Sequence, residues 1–231
     1  MERILNLFDR YKLEAGFFPA VLASLPLWIL LFSIQDVVSS SSIITKIVSS
    51  SALVLVFAYL AADIVRNLGK NFEQKAFEGE ENFPTTDLLL FSNGFFSKEK
   101  KEAIYNKIKT EFGISLPNRN EQSKDEKNAR KRVSEAVGEI RQKLDKGRLL
   151  INYNNRYGFW RNLIGSSPFS ASLCIFVGLI LIFLQISFLL GLLTLIISLP
   201  YFFLWLYRKQ IIAFFAKEYA RQLYFEFLSE K

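Results

Sequence analysis

The chain has 231 residues, 51% of them apolar and 15% aromatic, and its 29 Lys and Arg against 22 Asp and Glu leave a formal charge of +7. With no His and a single cysteine, Cys174, it has no imidazole to titrate between about pH 5 and 8, no intramolecular disulfide and no Cys/His metal cluster of its own. The apolar residues are gathered in blocks, which excludes an ordinary soluble domain and predicts an all-α polytopic membrane protein with four transmembrane helices in two hairpins.

Residues 1–16 predict an amphipathic cytoplasmic helix lying on the membrane, because Ile4, Leu5, Phe8 and Tyr11 recur at helical spacing among charges. No small-residue cleavage pattern follows the first apolar run, so the segment reads as a retained anchor and not as a signal peptide. The first hairpin occupies 17–65, with spans at about 17–34 and 43–62 and a polar turn ending in Ser39-Ser40-Ser41-Ser42. Pro19 suits a first helical turn, whereas Pro26 is expected to kink the first span. Lys46 lies close enough to the outer end of the second span to snorkel. Asp63 closes that span, with Arg66 three residues on and on the same face. Two readings are open for this membrane-edge pair: an interfacial acid beside a cation, or an acid on an ion pathway.

A small helical cytoplasmic domain is expected over 66–165, where 20 Lys and Arg face 14 Asp and Glu. The second span should run on as a helix through Leu68-Gly69-Lys70 toward Phe77. Phe83-Pro84-Thr85-Thr86 then breaks it, with either Thr available to cap a short helix over Leu88, Leu89 and Leu90. Ser97 caps a longer one carrying Ile104, Ile108 and Phe112, stopped by Gly113 and Pro117. A polar linker, Asn118–Gln122, leads to a third helix from about Ser123 to Asp145, striped by Val133, Val137, Ile140 and Leu144 and ended by Gly147. Its cluster Lys127, Arg130, Lys131 and Arg132 reads either as a phosphate or lipid patch or as a solvated helix face. So few stripes make a small core, of the size that calls for a partner or a second copy.

Before the third span, Asn152, Asn155, Arg156, Tyr157, Trp160, Arg161 and Asn162 gather amides, guanidiniums and aromatic rings in one stretch. That mixture can hydrogen-bond and stack on a planar polar ligand such as a nucleotide, and it can equally anchor a helix at headgroup level. The second hairpin, 166–207, contains Phe169 to Tyr207 without one charged side chain. As a single helix that run would be roughly 58 Å long against a hydrocarbon core of about 30 Å, so it must fold back, near Gln185, Ser187 and Gly191. Residues 208–231 keep helical spacing at Ile212, Phe215, Tyr219, Leu223 and Phe227, an amphipathic cytoplasmic tail.

Of the 29 Lys and Arg, Lys46 alone falls on the outer side of this topology. The positive-inside rule therefore places the domain and both termini in the cytoplasm. Catalysis has little to stand on: there is no His for acid–base work, no Gly-rich phosphate loop and no metal-ligand spacing, so no catalytic residue, metal or cofactor is assigned. Four short spans holding one edge acid and no internal repeat do not read as a transporter either.

Leu68-Gly69-Lys70 with Glu73 and Phe77, Pro84-Thr85-Thr86 with Leu88 and Leu89, then Asn155 and Tyr157-Gly158-Phe159-Trp160-Arg161-Asn162-Leu163 resemble a family of uncharacterised bacterial four-span membrane proteins with a cytoplasmic insert. The chain departs from that pattern at Glu78-Gly79-Glu80-Glu81-Asn82-Phe83, where the family favours tryptophan and glycines. The architecture is also similar to membrane effectors of antiphage systems, which perturb the inner membrane on a sensor or nucleotide signal. The expectation is a non-enzymatic inner-membrane effector, acting as a homo-oligomer in the lipid bilayer. Its trigger would be a cytoplasmic sensor protein or a nucleotide-type ligand, with no direct duplex nucleic-acid binding. The alternative is a membrane anchor or sensor that recruits a soluble partner without conducting.

Overall fold

The computed structural model describes residues 10–38, 42–144 and 148–230. The helix expected at 1–16 and the serine turn fall largely outside them, as does the stop at Gly147. Every regular element among the described residues is helical. A π-helical turn (Lys12–Phe17) leads into α1 (Phe18–Ala23), α2 (Leu25–Val38) and the long α3 (Ile43–Phe77). After a 3₁₀ turn (Glu80–Asn82) come α4 (Pro84–Asp87), α5 (Lys98–Phe112), α6 (Arg119–Lys124) and α7 (Glu126–Lys143). The chain ends in α8 (Arg148–Phe183), α9 (Phe188–Leu206) and α10 (Arg208–Ser229). These residues form two compact units: Met1–Glu73 with Gly158–Ile211, and Gln74–Tyr157 with Ile212–Lys231.

Among the described residues three stretches are long and apolar enough to cross a membrane: α3, Leu150–Phe183 of α8, and α9. A fourth exists if Lys12–Ala23 and Leu25–Val37, bent by 47°, count as one span. The bend has a local cause. Pro26 has no N–H for the Leu22 carbonyl, and the helix breaks two residues earlier, where Leu27 N and Trp28 N both turn to Ser24 O at 3.0 and 3.2 Å. Ser24 Oγ donates back to Ala20 O at 2.7 Å. The expected kink is thus a break at Ser24.

Close approach is set by glycine. A methyl group on Gly165 would sit 2.6 Å from Gly69 Cα, so α8 and α3 touch backbone to backbone. Gly178 and Gly191 do the same for α8 and α9, each added methyl falling 2.9 Å from the other's carbonyl oxygen. Such small-residue crossings suit helices in lipid, where van der Waals packing replaces the hydrophobic drive. Outward, Phe183, Phe188 and Leu189 are 76%, 69% and 74% exposed, an apolar surface that water would not tolerate over this extent. Lys46, read as a snorkelling cation, is buried and paired with Asp36 at 2.8 Å.

The second unit is an all-helical core of Leu89, Leu90, Ile104, Ile108, Val133 and Ile140 that also takes in Leu223, Tyr224 and Phe227 from α10. Phe227 stacks on Phe112 at 6.0 Å, Phe96 meets Tyr224 edge-on at 5.9 Å, and Tyr224 Oη donates to Thr85 O. The apolar stripe expected on the amphipathic tail is therefore core, and it enlarges the small core of the central segment from within the chain.

Local chemistry explains the remaining differences. The linker expected over Asn118–Gln122 is the start of α6, closed by a capping box in which Asn118 Oδ1 accepts from Glu121 N and Glu121 Oε2 accepts from Asn118 N, both at 3.0 Å. Asp125 then interrupts the single helix expected from Ser123, since its carboxylate accepts from Asn128 N at 3.0 Å and starts α7 afresh. Leu88, Leu89 and Leu90 lie in turns after α4. The carbonyls of Leu90 and Asn93 accept from the buried Lys101 ammonium instead of from a continuing helix.

Candidate functional site

On α3, Gly69 and Glu73 are four residues apart and share a face; on α8 the facing positions are Arg161, Asn162 and Gly165. Because the glycines bring the two backbones together, the long side chains on either side meet and close a buried polar cluster. Arg161 Nη1 lies 3.2 Å from Glu73 Oε2, with both side chains only 8% exposed. Its Nη2 reaches Tyr11 Oη at 3.4 Å and its Nε reaches Asn162 Oδ1 at 3.1 Å. Asn162 donates its amide to Ala15 O. Each group in the cluster holds another, so Arg161 is already engaged by the chain's own acceptors.

Beside the cluster lies a cavity of about 380 Å³, walled by Tyr11, Lys12, Tyr59, Asp63, Arg66 and Asn162. Asp63 and Arg66 share a helix face but form no ion pair with each other. The Arg66 guanidinium instead sits 5.6 Å from the centre of the Tyr11 ring, and its buried Nε has no hydrogen-bond partner among the described residues. Lys12 and Asp63 are exposed and make no ion pair among the described residues. The cavity therefore offers two cationic groups and one carboxylate not neutralised by one another.

The other expected residues are distributed along one helix. Trp160, Arg161 and Asn162 belong to the first unit, while Asn152, Asn155, Arg156 and Tyr157 belong to the second. Tyr157 stacks on Tyr219 at 6.0 Å, Asn155 is buried, and the exposed Arg156 lies 5.6 Å from the centre of the Phe215 ring. Trp160 packs edge-on against Phe159 at 5.5 Å. Period 3.6 spreads the seven candidates, drawn from eleven consecutive positions (152–162), around the helix, so they do not converge on one pocket.

The basic run on α7 is likewise divided. Arg130 pairs with Glu126 at 2.8 Å and Asp87 at 3.2 Å, and Arg132 donates to Ser115 O. Lys127 and Lys131 stay exposed beside an open groove with Glu81, Asp125 and Asn128. A larger cleft of the second unit, about 430 Å³, was not foreseen; it takes Phe91 and Phe96 from the segment after α4, Lys101 from α5, and Asn118, Arg119 and Asn120 from the start of α6. Near it, burial pushes the Tyr105 phenol up to about 12, against the opposing hydrogen bond from Gln122 at 2.8 Å. Desolvation lowers the pKa of Lys101, partly offset by Asp87.

Among the described residues no three of Asp, Glu and Cys are grouped to hold a metal ion. No protein-family model matches the chain, and no curated protein or solved structure is significantly similar to it.

Proposed function

We propose that the chain is a multi-pass protein of the bacterial inner membrane, with four spans in two hairpins and both termini cytoplasmic, that acts without catalysis. Its cytoplasmic unit receives a ligand or partner protein, and an assembly of identical subunits then perturbs or permeabilises the bilayer, in the manner of an antiphage effector. The observation that carries this reading is helix continuity. The helices α3 and α8 each supply residues to both compact units without a break, so a signal received in the second unit has two unbroken helices leading into the apolar spans. The cleft at Phe91 and Phe96 is of ligand size, and the asymmetry of Lys and Arg supports the orientation. The motif resemblance to the four-span bacterial family supports the topology.

A second reading, an anchor that recruits a soluble protein and never conducts, draws on Lys127 and Lys131 beside their open groove. Reconstitution separates the two. The purified chain in dye-loaded liposomes, with a lysate fraction as source of the trigger, should release dye if it is an effector. A tight liposome together with a stoichiometric soluble partner in pull-downs would favour the anchor.

A further inference from the structure

The cavity walled by Lys12, Asp63 and Arg66 is not used by the effector reading, and its chemistry is specific. We propose that it is a phospholipid headgroup site, in which Arg66 and Lys12 hold the phosphodiester and Asp63 accepts from an N–H or O–H donor on the headgroup. The inference rests on the membrane placement of α3 and not on the effector mechanism.

Four observations converge on it. Among the described residues the charges are available, since Lys12, Asp63 and Arg66 form no ion pairs with one another and the buried Arg66 Nε has no acceptor there. A phosphate oxygen supplies that acceptor, and a guanidinium matches it in geometry as an ammonium does not. The walls are fixed, because Arg161 holds Tyr11 and Asn162, and Asn162 in turn holds Ala15 O. The lining is mixed: the charges share it with Leu13, Phe17 and Leu60, and Leu60 and Tyr59 are 70% and 66% exposed. An inorganic phosphate would leave those apolar groups uncovered, whereas the glycerol and first acyl carbons of a lipid would cover them. Finally, Asp63 and Arg66 follow directly on the apolar run 43–62, the level at which headgroups sit. The π-helical turn, with Phe18 N bonded to Leu13 O five residues back, carries Lys12, Leu13 and Phe17 into the same wall.

Native mass spectrometry of the full chain in a neutral detergent tests this with three probes: phosphatidylethanolamine, phosphatidylcholine and inorganic phosphate. The two lipids share a phosphodiester and net charge, but only the first has headgroup N–H donors for Asp63. One phosphatidylethanolamine should bind in clear preference to phosphatidylcholine, and Asp63→Ala should erase the preference. Arg66→Gln should weaken both lipids about tenfold or more, the size expected when a charge-assisted hydrogen bond is lost. Lys12→Gln, at an exposed position, provides the same test if Arg66→Gln fails to fold. Unchanged lipid binding in both cation variants overturns the site, as does displacement of the lipid by about 10 mM inorganic phosphate, which would make a free anion the ligand (excess over the roughly millimolar range of weak binding). Liposome flotation keeps the premises apart: a chain that does not float contradicts the membrane placement, and one that floats with indifferent lipid binding contradicts the headgroup site alone.

Discussion

Arg161 shows how much a side chain's meaning depends on what lies across from it. In sequence it offered a ligand contact or a headgroup anchor, since its partner Glu73 is 88 positions away and no local pattern ties the two together. In the fold it is half of a buried ion pair. Removing one member takes the opposite charge away from the other inside a buried cluster, a loss of about 3–5 kcal/mol. Arg161→Ala should therefore lower thermal stability in detergent by that order, and Arg161→Ala with Glu73→Gln should recover part of the loss. Additive losses in the double variant would argue against the coupling.

Glu111 gives a residue-scale prediction for pH. Burial raises its pKa, but the hydrogen bonds and charges of Lys143 at 2.5 Å and Lys107 at 3.4 Å outweigh it, and the folded value lies below the ordinary one. The stabilisation is thus present above the unfolded pKa of about 4.3 and is lost as pH falls through the lower folded value. Circular dichroism of acid unfolding should show a shallower loss of stability below about pH 4.3 in Glu111→Gln than in the parent. An unchanged acid slope would remove Glu111 from the account.

At the scale of the element, long apolar runs and caps were legible and interruptions were harder to place. The Phe169–Tyr207 run, Ser97 and the stop at Gly113 each act through neighbours in sequence, and each is where the residues put it: Ser97 Oγ accepts from Lys100 N at 3.3 Å, and Gly113 adopts φ +68°. The role of α10 was not legible, because an amphipathic stripe reads the same whether it covers lipid or other helices; only the fold shows Leu223 and Phe227 in a core. The crossing at Gly165 was equally hidden, as its reason lies in Gly69. Gly165→Val should push α8 off α3 at a cost of about 1–3 kcal/mol or more, since the obstacle is backbone that cannot rotate aside. Thermal unfolding in detergent measures the cost, and a variant as stable as the parent would mean the backbones are not in contact.

For the whole molecule, the apolar helices were visible in the sequence because bilayer thickness imposes a length that composition reveals. Topology is open to direct chemical measurement. In a Cys174→Ser background, Asn128→Cys and Ser229→Cys should resist a membrane-impermeant maleimide in intact cells and react after lysis, whereas Thr45→Cys should react from outside. Labelling of Asn128→Cys in intact cells would invert the orientation. The candidate site was legible only in part: Asp63 and Arg66 were noted for their span-edge position, but Lys12 joins them through a turn no local pattern announces.

Membrane potential in living bacteria tests the effector reading most directly. Cells expressing the chain at a level verified in the inner-membrane fraction, loaded with a potential-sensitive dye and challenged with phage or by strong induction, should depolarise while cells expressing the Gly165→Val variant do so less or not at all. Cells that keep their potential through both challenges, with the chain folded and inserted, would contradict it.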